Sequence, residues 1–348
     1  MGVVLRGPGV YAPSDVITNK DLVELVDEQG NRVLDTSDEW IVKRSGIHER
    51  RISLNKGIKE MGILALRDLK AKLGEDLLDV EEIRLASNRH REKEFPCYAS
   101  TFAAELGLEH CVLSDQGAGC TGLIYTIRDL YNAIRGGDIR TALAGGGEHI
   151  TAFTDYSDRS TCFLFGDGFG WYKLEQRDGH EGIVACSLGG TPDVGAKGWP
   201  EGNLIIRRKM GKKLRKADQG YVAYNAEDDY LEMNGSEVFK FATRAMAKSI
   251  HDAIEKTSYT IPDLDVIIPH GANRRITDNA EERLREKGFR GVVYTNLDKY
   301  GNSSAGSIPL AMAQAIQEGA IRENDLVAAV AFGAGLTYGT VIFRATLK

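Results

Sequence analysis

The chain has 348 residues, of which 42% are hydrophobic, and a net charge of -6. This length allows two domain-sized units or one large one, and the acidic charge argues against a general nucleic-acid-binding protein. No apolar run approaches the roughly 18–20 residues of a membrane span, and the N-terminus does not read as a secretory signal. The five cysteines form no CxxC pair and no zinc-like spacing with histidine, which argues against disulfides and metal. We therefore expect a soluble, cytoplasmic protein that contacts no membrane and no nucleic acid.

Strand and helix signals alternate along the chain, and two pairs of segments recur in the same order. The strand and polar loop of Val80–Arg89 are similar to Leu264–Arg274, since both carry Asn-Arg after the strand. The glycine turn and strand of Phe165–Leu174 are similar to Phe332–Val341. These pairs suggest a duplicated unit of roughly 170 residues, and the alternation predicts an α/β fold with mainly parallel sheets covered by helices. The two halves expected are residues 1–178 and 179–348.

Four segments have the apolar spacing of an amphipathic helix. They are Lys56–Leu73, Thr121–Gly136, Phe239–Lys256 and Ile308–Glu318. Between the halves, Gly189–Lys216 is irregular and has seven basic residues in the ten from Arg207 to Lys216. This basic segment has two interpretations, a solvated surface loop or a docking surface for an acidic partner.

A single cysteine, Cys120, lies between small residues where the short apolar strand Cys111–Leu113 leads into a helix. Glycine and alanine on both sides allow a substrate to approach the sulfur closely. The helix directs its unpaired N–H groups at Cys120, which favours a nucleophilic thiolate near neutral pH. The alternative interpretation is a buried cysteine that packs as a small apolar residue.

Three further motifs carry groups that suit acyl-thioester chemistry. They are Pro269–Asn273, Tyr300–Ser307 and Phe332–Gly335. Taken singly, they can be a structural histidine, a capping turn and a tight turn. Together with the thiolate, neutral histidine and asparagine side chains can donate hydrogen bonds to an oxygen that becomes negative, and backbone N–H groups can form an oxyanion hole.

These motifs resemble those of the β-ketoacyl-acyl-carrier-protein synthase III family, which comprises condensing enzymes of the thiolase superfamily. The resemblance runs nearly end to end through six motifs in the family's order. They are Thr36–Ile47, the Cys120 segment, Leu164–Gly168, Pro269–Ile276, Gly301–Ala305 and Phe332–Gly339. The resemblance implies a thiolase fold, with two duplicated α/β halves that form a layered α-β-α-β-α core.

The resemblance also implies a reaction. An acyl-CoA primer would condense with malonyl-acyl-carrier protein through an acyl-Cys120 intermediate, with no cofactor beyond the coenzyme A thioester substrate and with no metal. His270 and Asn302 would promote decarboxylation, and the amides of Cys120 and Ala334 would hold the thioester oxyanion. The product would be a 3-oxoacyl thioester that initiates fatty-acid synthesis.

Binding residues are implied in the same way. The coenzyme A residues would be Trp40, Arg44, Arg159, Ser236 and Asn273; the acyl-pocket residues Arg89 and Phe95; and the carrier-docking residues Lys240 and Arg275. Phe95 would reach across a homodimer interface into the partner's pocket. The chain departs from the family at Gly271, where glutamine is usual, and at Ser236, where asparagine is common. Glu281 and Glu282 also replace lysines that would favour carrier docking.

The primer is open at this point. Arg89 and Arg91 make the loop before Phe95 cationic, and such a loop suits a carboxylated primer such as the glutaryl group of the biotin-precursor branch, which would give a 3-oxopimeloyl thioester. The sequence also leaves open a secondary-metabolite acyltransferase of the same fold, acyl transfer or hydrolysis without carbon–carbon bond formation, and a non-catalytic binding module.

Overall fold

The computed structural model describes residues 2–88, 97–195, 198–218 and 220–347. The strands are β1 Gly2–Tyr11, β2 Asp15–Thr18, β3 Val26–Asp27, β4 Glu49–Ile52, β5 Glu82–Ala86, β6 Val112–Gln116, β7 Thr141–Glu148, β8 Gly168–Arg177, β9 Ile183–Gly190, β10 Leu204–Lys216, β11 Tyr221–Met233, β12 Val266–Pro269, β13 Val292–Val293, β14 Leu326–Gly333 and β15 Thr337–Arg344. The helices are α1 Asn19–Val23, α2 Asp38–Ser45, α3 Ile58–Leu73, α4 Ala99–Leu106, α5 Gly122–Gly136, α6 Gly235–Ile254, α7 Arg274–Glu286, α8 Leu297–Tyr300 and α9 Ser307–Gln317. Within these ranges, no helix has the length and apolar character needed to cross a membrane.

Two five-stranded sheets share one pattern of strand pairing. The first has the order β1-β8-β7-β5-β6 and the second the order β13-β12-β14-β15-β9. In each sheet two of the neighbouring strand pairs are parallel and two are antiparallel. The expectation of mainly parallel sheets was therefore wrong for half of the strand pairs. The turn between β14 and β15 explains this in the second sheet, because so short a connection can only return the chain as an antiparallel strand.

Helices cover both faces of each sheet, so the layers run α-β-α-β-α, as a thiolase fold requires. Apolar side chains of α5 and α9 fill one core with residues from both sheets. The outer faces are covered by α3 and α4 on the first sheet and by α6 and α7 on the second. All four helices expected from apolar spacing are present within a few residues of the expected bounds. The division of the chain into two halves between residues 178 and 179 stays a prediction.

The basic segment forms a long hairpin. Strands β10 and β11 pair in antiparallel register from Leu204↔Met233 to Lys216↔Tyr221. Each of its seven basic side chains lies within ion-pair distance of an acidic side chain of the same chain. The pairs are Arg207 with Glu201 and Glu232, Arg208 with Glu227, Lys209 with Asp155 and Glu232, Lys212 with Asp27, Lys213 with Asp228, Arg215 with Glu28, and Lys216 with Asp15. These pairs neutralise much of the charge that would attract an acidic partner.

Candidate active site

The loop that carries Cys120 lies against the glycine turn after β14. Cys120 is in a single 3-10 turn, Gly119–Thr121, between β6 and α5. Gly119 has a φ of +56°, and a Cβ at this position would lie 2.8 Å from the backbone nitrogen of Ala334. A Cβ on Gly333 would lie 2.7 Å from the backbone nitrogen of Cys120. Both positions therefore require glycine, because backbone atoms approach them too closely for any side chain.

Cys120 is half-buried. Burial raises the pKa of the thiol to about 11, and a hydrogen bond from Ser304 Oγ to Sγ at 3.4 Å acts in the opposite direction. In the unliganded protein, burial therefore works against the thiolate that the sequence predicts near neutral pH. A helix N-terminus contributes about 2 kcal/mol at most, which is too little to offset the loss of solvation around a charged sulfur.

His270 follows β12 directly, and only 1% of its surface is exposed. Its Nδ1 lies 2.6 Å from Ser307 Oγ, and its ring packs edge-on against Phe332. Burial lowers the pKa of His270 to about 3. The imidazole is therefore neutral at physiological pH, as the sequence interpretation requires.

The backbone of Asn302 is held by the other half of the protein. Its N–H donates to the carbonyl of Leu164 at 2.8 Å, and its carbonyl accepts the N–H of Gly166 at 3.0 Å. The side-chain Oδ1 accepts the N–H of Ser304 at 2.9 Å. Since the oxygen is occupied, the amide presents Nδ2 as a donor.

One cavity of about 290 Å³ brings these residues together. Cys120, His270, Asn302 and Ala334 all line it, although they come from four separate motifs. The rest of the described lining is mostly apolar and includes Ile150, Phe153, Leu164, Phe165, Leu204, Ile205, Ile206, Leu231, Met233, Val238, Phe239, Ile276, Phe332 and Leu336. A nucleophile, a neutral imidazole and an amide donor at one apolar cavity are suited to acyl transfer and to stabilisation of an enolate.

Comparisons with known proteins agree with this geometry. The family described as "3-Oxoacyl-[acyl-carrier-protein (ACP)] synthase III" matches residues 114–192, and its C-terminal counterpart matches residues 254–345. The β-ketoacyl-[acyl-carrier-protein] synthase III of Aquifex aeolicus is 35% identical over 99% of this chain and 100% of its own length. That of Symbiobacterium thermophilum is 36% identical over 98% of both chains. The chain belongs to the β-ketoacyl-acyl-carrier-protein synthase III family.

Solved structures support the same assignment. The synthase III structure from Thermus thermophilus is 35% identical, covers all of both chains and has a TM-score of 0.82. The structure from Aquifex aeolicus is 32% identical over 99% of this chain, also with a TM-score of 0.82. Members of this synthase III family are condensing acyltransferases of the thiolase fold.

Three of the residues expected to bind coenzyme A lie together around the Trp40 indole. The guanidinium carbon of Arg159 lies 4.2 Å from the centre of the Trp40 ring, and that of Arg44 lies 5.7 Å from it. Phe163 supports the indole edge-on at 5.2 Å. The structure therefore brings Trp40, Arg44 and Arg159 together, with Arg159 directly on the indole.

Of the other two residues expected to bind coenzyme A, one lines the cavity and the other does not. Asn273 lines the cavity, but its side chain also joins α2 to α7, since Nδ2 donates to the Arg44 carbonyl and Oδ1 accepts the Arg275 N–H. Ser236 is exposed and donates to Asn234 Oδ1 at 3.0 Å, outside the cavity lining.

The expected docking residues are both exposed. Lys240 is paired with Glu237 at 2.6 Å, and Arg275 lies over the Phe239 ring at 5.0 Å. Phe239 also lines the cavity, which places Arg275 beside it. Arg89 and Phe95, the expected acyl-pocket residues, lie outside the described residues, as does Arg91.

Sequence reasoning missed a buried acid beside Cys120. Glu148 ends β7 and accepts hydrogen bonds from the Asn88 N–H, Asn88 Nδ2 and Ser87 Oγ. Asn88 in turn accepts the Gly119 N–H at 2.7 Å, so the carboxyl group helps to fix the loop before Cys120. Burial raises the pKa of Glu148 to about 7. The available signal was an acidic residue at the carboxyl end of an apolar strand, where sites gather in such sheets.

Proposed function

We propose that this chain condenses an acyl-CoA primer with malonyl-acyl-carrier protein, releasing carbon dioxide and free coenzyme A, to initiate fatty-acid synthesis. The observation that carries the proposal is the convergence of Cys120, His270 and Asn302 on one apolar cavity. A transfer or hydrolysis reaction without carbon–carbon bond formation has no need of the last two groups.

The first half-reaction acylates Cys120. The sulfur attacks the thioester carbonyl, and the backbone amides of Cys120 and Ala334 stabilise the negative oxygen. Trp40 and Arg159 take the adenine of coenzyme A between them, so Arg159 moves off the indole on which it rests in the free protein. Coenzyme A then leaves as the thiol.

The second half-reaction decarboxylates the malonyl thioester and uses hydrogen-bond donors. Asn302 donates from Nδ2, since Oδ1 is occupied by Ser304. The Ser307 hydroxyl donates to the carbonyl oxygen of Ser304 at 2.9 Å and lies 2.6 Å from Nδ1 of His270. Donation to the enolate needs the proton of the neutral imidazole on Nε2, the ring nitrogen that does not face Ser307.

Two measurements test this proposal. Intact-protein mass spectrometry after brief exposure to acyl-CoA should show one acyl adduct on the Cys120 peptide. The adduct should vanish in Cys120→Ala and persist in Cys162→Ala, whose buried thiol does not line the cavity. Asn302→Ala and His270→Ala should accept the acyl group but release little carbon dioxide, since one such donor is worth about 2.7–4 kcal/mol. An adduct that survives in Cys120→Ala would defeat the assignment.

We propose a neutral acyl primer. The charged side chains among the described lining residues are Glu148 and Asp193, and both are acidic. A primer carboxylate close to Asp193, or to Glu148 in its ionised form, would meet like charge. A carboxylated primer would depend on Arg89 and Arg91. The ratio of kcat/KM for glutaryl-CoA to that for butyryl-CoA therefore decides between a neutral and a carboxylated primer. We expect a ratio well below one, and a ratio above one would favour the glutaryl primer and the biotin-precursor branch.

We propose that the carrier protein docks at Lys240 and Arg275. Alanine at either position should raise the KM for malonyl-acyl-carrier protein and leave acylation by acyl-CoA unchanged. Arg208→Ala is the matched control, because this exposed arginine of the hairpin is already paired with Glu227. An equal rise in KM for the control would instead favour docking at the hairpin.

We propose a cytoplasmic homodimer. β6 is an edge strand of the first sheet, and Val112 on it is 56% exposed, so it can pair with the same strand of a second copy. The five cysteines are free thiols, which fits a reducing compartment. Sedimentation equilibrium should give a dimer, and a stable, fully active monomer would exclude a crossing Phe95.

A further inference from the structure

Ser304 holds an unusual backbone conformation inside the cavity. Its φ is +51°, in the left-handed region that side chains other than glycine, asparagine and aspartate rarely adopt. Only 2% of the residue is exposed. Such a conformation costs on the order of 1–3 kcal/mol and persists where the surroundings impose it, often at functional sites.

Three contacts follow from this conformation, and together they reach all three proposed catalytic residues. The backbone N–H of Ser304 donates to Asn302 Oδ1 at 2.9 Å. Its carbonyl accepts the N–H of Ser307, whose hydroxyl lies 2.6 Å from His270 Nδ1. Its own hydroxyl donates to Cys120 Sγ at 3.4 Å. The backbone of Ser304 thus positions two residues, while its side chain touches the nucleophile.

We propose that Ser304 is a further catalytic residue, whose hydroxyl donates a hydrogen bond to the Cys120 sulfur and stabilises it when it carries negative charge. The proposal rests on the acyl-Cys120 intermediate proposed above. Burial makes this thiolate costly to form. A hydrogen-bond donor held beside the sulfur therefore lowers the free energy of the thiolate.

The hydroxyl serves both half-reactions without transferring its own proton. In the first, Cys120 gives its proton to solvent, the sulfur–acyl bond forms, the acyl–coenzyme A bond breaks, and the departing coenzyme A sulfur takes a proton from solvent. In the second, the malonyl thioester loses carbon dioxide, the resulting carbanion forms a carbon–carbon bond with the acyl carbon, the sulfur–acyl bond breaks, and Cys120 leaves as a thiolate. Ser304 stabilises that thiolate until it regains a proton from solvent.

The test compares Ser304→Ala with Ser303→Ala in the full-length protein. Both remove one buried hydroxyl, and that of Ser303 has no hydrogen-bond partner among the described residues. Alkylation of Cys120 by iodoacetamide needs no substrate and reports the thiolate directly. Loss of a hydrogen bond to a charged group should slow alkylation of Ser304→Ala about tenfold at pH 8 and move its pH profile up by about one unit. The alkylation rate of Ser303→Ala at pH 8 should stay within about twofold of that of the unaltered protein, because no hydrogen bond is lost.

Equal alkylation profiles for Ser304→Ala and Ser303→Ala would overturn the proposal. Should Ser304→Ala fail to fold, Ser304→Gly removes the same hydroxyl while the backbone keeps its left-handed conformation without strain, and it should show the same shift. Failure of the unaltered protein to form any acyl adduct would instead count against the acyl-Cys120 intermediate.

Discussion

Gly333→Ala should impair acylation by displacing the loop that carries Cys120. Gly333 has a φ of -173° and a ψ of -165°, an extended conformation that alanine also adopts. The added Cβ would, however, lie 2.7 Å from the backbone nitrogen of Cys120 and 3.0 Å from its Cβ. Since ordinary contact begins near 3.4 Å, one of the two turns must move by about 0.7 Å.

The size of the effect follows from this displacement. Overpacking of this kind destabilises a protein by about 1–3 kcal/mol. A misplacement of about 1 Å at a reacting group costs about 100-fold in rate, so we expect acylation to slow by on the order of tenfold or more. Quenched reactions with acyl-CoA, read by intact mass, give the acylation rate, and denaturant unfolding gives the stability separately.

Gly271→Ala is the matched control for this substitution. Gly271 is adjacent to His270, but a Cβ there would lie 3.8 Å from the nearest atoms of Leu297 and Ser307, which is ordinary contact. We expect its acylation rate and stability to remain close to those of the unaltered protein. Equal rates for the two alanine variants would refute the idea that the approach of Gly333 to Cys120 positions the nucleophile.

The titratable groups and the indole stack of the site give three further expected outcomes. Alkylation of Cys120 by iodoacetamide should keep rising up to pH 10, because its pKa is about 11; a plateau below pH 8 would contradict this. The pKa of Glu148 in the folded protein is about 7, above its ordinary 4.5. The contribution of Glu148 to the free energy of unfolding is therefore fully present below pH 4.5. This contribution falls by about 3 kcal/mol as the pH rises to 7. Denaturant titrations against Glu148→Gln should show that decline, and a pH-independent difference would exclude it. Trp40→Ala should raise the KM for acyl-CoA about tenfold by loss of base stacking, but not that for a short acyl thioester without adenine; an equal rise for both would exclude stacking.

The regular elements were largely predictable from local pattern. The apolar residues of α5 recur at helical spacing and its end is marked by Gly137, so its bounds can be read from the sequence. The long hairpin could not be predicted in this way. Its first strand carries consecutive basic side chains, and several of these pair with acidic residues that are remote in sequence, such as Asp15, Asp27 and Asp155.

The site was predictable only in part. Cys120, His270 and Asn302 stand out because each follows a strand or a glycine turn, and they do line one cavity. Ser304 could not be found, because its left-handed backbone and its contact with Cys120 arise only in the folded chain. The burial that raises the pKa of Cys120 could not be predicted for the same reason, since burial is a property of the assembled core and not of the neighbouring sequence.

The two glycine turns show why a duplicated fold suits a two-step reaction. Gly119 makes room for Ala334, and Gly333 makes room for Cys120, so each turn leaves space for the other at the junction of the two sheets. The nucleophile comes from the first turn, whereas His270 follows β12 and Asn302 follows α8, and all three line one cavity. In the proposed reaction, an acyl group would therefore stay on Cys120 while a separate set of donors acts on the malonyl thioester. Ser304 contacts both Asn302 and Cys120, so in the proposed reaction the carbanion would form beside the acyl group that it attacks.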